Sequence, residues 1–127
     1  MPLTVLLVDD NPVQAATRQA ILTHSGNKVF IAPDAYHALA LLDDPESARN
    51  VHLVITDHLM PSMNGPQFVA RLRQRFPTLP VLVLSGLPDA EIEYGELNVL
   101  YRLKPIAPEE LIHLVQSLCT DSLGRTA

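Results

Sequence analysis

The chain is expected to fold as a single α/β domain, a doubly wound parallel sheet of five strands with helices on both faces. Three observations lead there. Five short strand-like runs recur along the chain, and those ending at Asp9 and Asp57 are almost wholly apolar, the pattern of strands covered on both faces. Segments with helical spacing separate them, and strand–helix alternation of this kind forces parallel pairing with right-handed crossovers. Finally, 127 residues of which 47% are hydrophobic suffice for one buried core.

Leu3 to Val8, apolar except for Thr4, is the first strand and stops at Asp9-Asp10. Asn11-Pro12 starts a helix, with Asn as N-cap and Pro at the first helical position. Val13, Ala16, Ala20 and Ile21 supply its apolar stripe, and Gly26 ends it. Lys28 to Ala32 is a short strand. Asp34 caps a second helix with Ala35, Ala38, Leu39 and Leu42 inward, closed by Asp43-Asp44-Pro45, and 46–50 reads as loop.

The run Val51-His52-Leu53-Val54-Ile55-Thr56 ends at Asp57, and the Pro- and Gly-punctuated stretch to Gly65 comes next. Asp57 is therefore expected at the rim of the sheet, not within a core. Pro66 opens a helix with Phe68, Val69, Leu72 and Phe76 on one face. Pro77 and Pro80 bracket a turn before the fourth strand, Val81 to Leu84, which ends at Ser85-Gly86. The stretch 88–97 is acidic, with room for a short helix, and its acids read as a solvated face. Val99 to Leu103 is the fifth strand, ending at Lys104-Pro105. Pro108 starts the last helix, with Leu111, Leu114, Val115 and Leu118 inward.

Composition excludes several classes. A net charge of −5 with no basic run argues against direct nucleic-acid binding. No apolar run approaches the roughly 20 residues of a membrane span. Met1-Pro2 leads straight into a strand with no charged leader, so a signal peptide is not expected. The single Cys119 forms no internal disulfide, suits a reducing cytoplasm, and is expected to pack at a helix end.

The residues just past the strands carry the chemistry. Asp9 and Asp10 follow the first strand, Asp57 ends the third, Ser85 the fourth and Lys104 the fifth. A parallel sheet brings all of them to one edge, where open α/β folds collect ligands. At about 5 Å and an effective dielectric near 20, each carboxylate pair costs on the order of 3 kcal/mol. A hard divalent cation relieves that repulsion, and an oxygen-only set suits Mg²⁺, which keeps several waters and accepts phosphate oxygens. Lys104 adds a positive charge and Ser85 a hydroxyl. A nucleophilic carboxylate, a metal and fixed donors together are what phosphoryl transfer requires.

At Val8-Asp9-Asp10-Asn11, at Asp57-x-x-Met60-Pro61-x-Met63-x-Gly65, at Ser85-Gly86 and at Lys104-Pro105, the chain resembles the receiver domains of two-component response regulators. The resemblance covers about residues 3–118. It implies a flavodoxin-like sheet of order 2-1-3-4-5, with residues 1–120 as the receiver domain and 121–127 as a disordered tail. It implies Asp57 as phosphoacceptor. Asp9, Asp10, Asp57 and the backbone carbonyl of His58 would hold Mg²⁺, for which Mn²⁺ can substitute. Ser85 with Gly86 takes the hydroxyl switch position, Lys104 the lysine, and Tyr101 the aromatic switch that follows Ser85 inward. A cis Lys104–Pro105 peptide is common in the family. The implied donor is a phosphohistidine on a histidine kinase or histidine phosphotransfer protein. Output would run through an unknown downstream protein, or a homodimer, in the cytoplasm.

Two departures from the family pattern stand out. The interval from Ser85 to Lys104 is short, so the fourth helix is expected to be shortened or irregular. Leu59 and Leu87 occupy positions beside the pocket that are often polar. With no polar group there to align water, slow hydrolysis of an acyl phosphate is expected. Blander readings stand beside these. Acids at strand ends often cap helices, Ser85-Gly86 is a turn signal, and Tyr101 can be an ordinary half-buried strand tyrosine. His58 can modulate phosphate access or simply pack, whereas His24, His37, His52 and His113 read as scattered surface or partly buried residues. The alternative function is a pseudo-receiver, an interaction module that does not use Asp57. An aspartyl phosphatase needs a second acid two residues past the nucleophile, where this chain has Leu59. The Met start favours a stand-alone or N-terminal domain, and nothing after the last helix is long enough for an output domain.

Overall fold

The computed structural model describes residues 3–126, with side chains as far as Leu118. Five parallel strands form one sheet in the order β2-β1-β3-β4-β5. They are β1 Thr4–Val8, β2 Lys28–Ala32, β3 Leu53–Asp57, β4 Val81–Ser85 and β5 Leu100–Leu103. Every residue of β1, β3 and β4 is buried, which is why those segments lack alternation. The parallel sheet is the one expected from the strand–helix pattern, and its order is the flavodoxin-like one that the resemblance implied.

The helices are α1 Pro12–His24, α2 Ala35–Asp43, α3 Pro45–Asn50, α4 Gly65–Arg75 and α5 Pro108–Thr126, with a 3₁₀ helix over Pro88–Tyr94. On one face of the sheet, Val5, Leu7, Leu53, Ile55, Leu82 and Leu84 pack against Ala15 and Leu22 of α1 and Leu111, Leu114 and Val115 of α5. On the other face, Leu6, Val8, Val54, Val81 and Val83 meet α2, α4 and Tyr94. Successive strand residues therefore feed two separate cores, as the period of two requires.

Several local expectations are corrected. The inward face of α1 is Ala15, Arg18 and Leu22. Val13, Ala16 and Ala20 are exposed and Ile21 is half-buried. The buried stripe differs from the apolar one because its central position is a charged residue. Residues 46–50 are helical, not loop: Asp44 accepts the Glu46 N–H and the Ser47 hydroxyl, and Pro45 stands at the first position. Helix α4 starts one residue early, at Gly65, because Asn64 and Gln67 form a reciprocal capping box. Helix α5 continues to Thr126, through the residues expected as a tail; no proline interrupts 109–126. The packing expected of Cys119 lies outside the described residues.

The shortened fourth crossover is the 3₁₀ helix, closed by Gly95 at a φ of 46°. Its acids Asp89, Glu91 and Glu93 are exposed, as expected of a solvated face, but Ala90 and Tyr94 turn inward and are buried. Arg73 of α4 anchors the loop between Gly95 and β5. Its guanidinium donates to the carbonyls of Phe76, Leu79, Leu97 and Asn98. One side chain thus satisfies the end of α4, the approach to β4 and the approach to β5. Among the described residues, no helix is long and apolar enough to cross a membrane.

Candidate functional site

The sheet register builds the pocket. Val8 pairs with Thr56, Asp57 with Leu84 and Ser85 with Leu103, so the ends of four strands reach one edge together. Backbone bonds pin those ends: Asp9 N–H donates to the Ala32 carbonyl, His58 N–H to Leu84 and Lys104 N–H to Ser85. Asn11 caps α1 by accepting the Val13 and Gln14 N–H groups, and its own N–H donates to Asp9 Oδ1 at 2.9 Å. The cap that starts α1 thereby also orients the first acid.

Asp9, Asp10 and Asp57 each bring a carboxylate oxygen within 4.8 Å of the others. An all-oxygen set with that convergence fits a small hard cation that keeps part of its water. Asp10 is exposed, whereas Asp9 and Asp57 are each only 2% exposed. The expectation that Asp57 stands open at a rim is thus corrected. Its carboxylate is covered by two cationic side chains: Lys104 Nζ lies 2.9 Å from Asp57 Oδ1, and Arg18 Nη1 lies 3.2 Å from the same oxygen.

Arg18 is the residue that sequence reasoning missed. It is buried, and Nη1 also contacts Asp9 Oδ2 at 3.1 Å. Arg18 shares the inward face of α1 with Ala15 and Leu22, but charged residues rarely go fully inside unless paired, and its partners are not local in sequence. Burial, followed by the neighbouring Asp57 carboxylate, pushes Asp9 up to about 7, with the Asn11 N–H and the Arg18 charge opposing the rise.

Ser85 is buried, and its Oγ accepts the Leu87 N–H at 3.0 Å. Its own proton can turn toward a ligand. Gly86 is exposed, and a Cβ there would meet nothing within 4 Å, so the loop does not require glycine for space. Leu59 and Leu87 are exposed at 65% and 45% and present no polar side-chain group. The Lys104–Pro105 peptide is cis. The His58 carbonyl accepts the Gly65 N–H at 2.8 Å, which uses one of its two lone pairs.

Tyr101, the residue expected to act as the aromatic switch, lies on β5 beside the loop after β4. It is already inward, 7% exposed, and its hydroxyl donates to the Leu87 carbonyl. The 3₁₀ crossover brings Tyr94 against the ring and the Leu87 carbonyl to the hydroxyl. Tyr94 stacks at a tilt against both Tyr101 and His58, with centroids 5.8 and 5.6 Å apart. The Tyr94 hydroxyl and His58 Nδ1 are hydrogen-bonded at 2.8 Å, and His58 Nε2 lies 3.5 Å from Glu93. His58 therefore ties the loop after β3 to the 3₁₀ helix. A side chain at Gly65 would collide with the Tyr94 hydroxyl, which accounts for glycine at the start of α4.

Comparison with known proteins agrees with this architecture. Residues 5–116 match the family model of the response regulator receiver domain. Response regulator Rre1 of Synechocystis sp. is 37% identical over 123 residues, covering 92% of this chain and 52% of that protein. The sensor histidine kinase TmoS of Ectopseudomonas mendocina is 34% identical over 129 residues, 97% of this chain but 13% of that protein. Among solved structures, the signal receiver domain of an HD domain-containing protein from Pseudomonas fluorescens Pf-5 superposes with a TM-score of 0.84 at 30% identity, covering 98% of this chain and 99% of that one. The chain thus spans about half of one curated relative and a small part of the other. A match that begins at the second residue of β1 and ends within α5 makes this chain a member of the response regulator receiver domain family.

Proposed function

We propose that this domain accepts a phosphoryl group on Asp57 from a phosphohistidine donor, with Asp9, Asp10 and Asp57 holding Mg²⁺ or Mn²⁺. The observation that carries the reading is Lys104 Nζ, 2.9 Å from Asp57 Oδ1. It stands in a pocket where three carboxylates converge within 4.8 Å. When bound, the cation would neutralise the facing acids and the oxygens of the incoming phosphoryl group. An Asp57 carboxylate oxygen attacks phosphorus, the phosphorus–nitrogen bond breaks, and the donor imidazole keeps the bonding pair and is protonated from solvent. Lys104 passes from the carboxylate to a phosphoryl oxygen, and the Ser85 hydroxyl donates to another. The His58 carbonyl accepts from Gly65 with one lone pair and would offer the other to the cation.

The new charge reaches the surface through Ser85. Its Oγ holds the Leu87 N–H, and the Leu87 carbonyl holds the Tyr101 hydroxyl. Drawing Ser85 toward Asp57 shifts Gly86-Leu87 and releases Tyr101, an outward change in place of an inward one. Family membership supports a histidine kinase, or a histidine phosphotransfer protein, as donor. The reader would be a downstream protein or a second copy of this chain, in the cytoplasm.

Intact mass after incubation with phosphoramidate tests the reading. A gain of about 80 Da is expected with Mg²⁺, and no gain with EDTA or in Asp57→Asn. Because Leu59 and Leu87 offer nothing to align water, the gain should persist for minutes after the donor is removed; decay within seconds contradicts that part. Absence of any gain would instead favour the pseudo-receiver, a binding module independent of Asp57.

A further inference from the structure

The acid pocket already contains a cation, and it is part of the chain. Arg18 Nη1 stands between the two buried acids, 3.1 Å from Asp9 Oδ2 and 3.2 Å from Asp57 Oδ1. Its side chain is 8% exposed, against 0% for Asp9 and 3% for Asp57. Gln14, one turn earlier on α1, completes the arrangement. With its amide oriented to satisfy both partners, its nitrogen donates to Asp9 Oδ2 and its oxygen accepts from Arg18 Nη2, each at 3.1 Å. No buried side-chain polar atom among the described residues lacks a partner. Both terminal nitrogens of the arginine are therefore engaged, Nη1 by the two acids and Nη2 by Gln14.

A magnesium ion ligated by Asp9 and Asp57 would sit about 2.1 Å from their oxygens. Nη1 already contacts one oxygen of each of those two carboxylates. A guanidinium carries a fixed charge and donates in a planar fork, so it cannot become a ligand to the ion. We propose that Arg18 is a built-in counter-cation of the pocket, which must withdraw from Asp9 and Asp57 before a divalent cation binds and thereby lowers the pocket's metal affinity. Competition for shared oxygens is reciprocal: whatever Arg18 costs the metal, the metal costs the Arg18 ion pairs. Metal-free, the domain keeps its acids neutralised; loaded, it has a guanidinium released beside the phosphoacceptor. This inference rests on reading the acids as a metal site.

Isothermal titration of Mg²⁺ into the wild-type protein and into Arg18→Met tests it at fixed pH and ionic strength. Methionine keeps an unbranched apolar stem as far as the position of Nε and removes the charge. The variant should bind Mg²⁺ tighter, by about 5- to 100-fold. Equal or weaker binding overturns the role of Arg18 while leaving the metal site standing. No binding by either protein overturns the metal site and this inference together. If Arg18→Met does not fold, the wild type is sufficient. The side-chain ¹⁵N–¹H resonances of Arg18 should move along the same binding curve as the backbone amides of the pocket. Resonances that stay fixed at saturating Mg²⁺ overturn the proposal.

Discussion

At the scale of single residues, the pocket is an electrostatic balance of three acids against two bases, and Asp9 shows its cost. Its carboxyl is pushed up to about 7, first by burial and then by Asp57, while an unfolded aspartate titrates near 3.9. Between about pH 4 and pH 7 the folded state therefore holds a proton that the unfolded state has lost. Stability then falls as pH rises through that window, by on the order of 1 kcal/mol per pH unit at most, and levels off above it. In EDTA, Asp9→Asn should lack this component. Thermal unfolding should show the variant gaining on the wild type from pH 4 to 7; a constant gap between the two would contradict the raised carboxyl. Asp57, Ser85 and Lys104 were legible in the sequence because each stands where an apolar run stops. Arg18 was not, since nothing local distinguishes a buried arginine from a solvated one on a helix. Its partners lie 9 and 39 positions away.

At the scale of elements, the fourth crossover is where this chain is most individual. The short Ser85–Lys104 interval predicted an irregular helix, and the 3₁₀ helix Pro88–Tyr94 meets that expectation. Its contacts were beyond local reading. The 3₁₀ helix sends Tyr94 back to His58, and the loop after it rests on Arg73 of α4. Burial lowers the pKa of Arg73, yet its guanidinium serves four backbone carbonyls. Arg73→Met leaves those carbonyls without their donor, and buried or half-buried groups of that kind are expensive to orphan. The expected loss is on the order of 3 kcal/mol in urea unfolding. A loss below about 1 kcal/mol would mean that water replaces the arginine and that the anchor is dispensable. Under the proposed function the same region would carry the output, because Tyr101 hangs on Leu87, and Leu87 on Ser85.

At the scale of the whole molecule, the strand–helix alternation predicted both the layers and the edge at which the acids meet. Hydrophobic periodicity reports which segments are covered, and in a parallel sheet that nearly determines topology. It reports less about which side chains cross between elements, so Arg18, Tyr94 and Arg73 emerged only with the tertiary structure. The fold places one acid, Asp57, in contact with Lys104, beside two further acids and a hydroxyl. The central claim is that this acid takes the phosphoryl group. The most direct test is to phosphorylate the protein with Mg²⁺ and phosphoramidate, reduce it with borohydride, and sequence the peptides by mass spectrometry. Borohydride converts an aspartyl phosphate to homoserine. The account predicts homoserine at position 57 in the treated sample and intact aspartate there without donor or without Mg²⁺. Phosphate found on a histidine or on Ser85, with position 57 still aspartate, would contradict it.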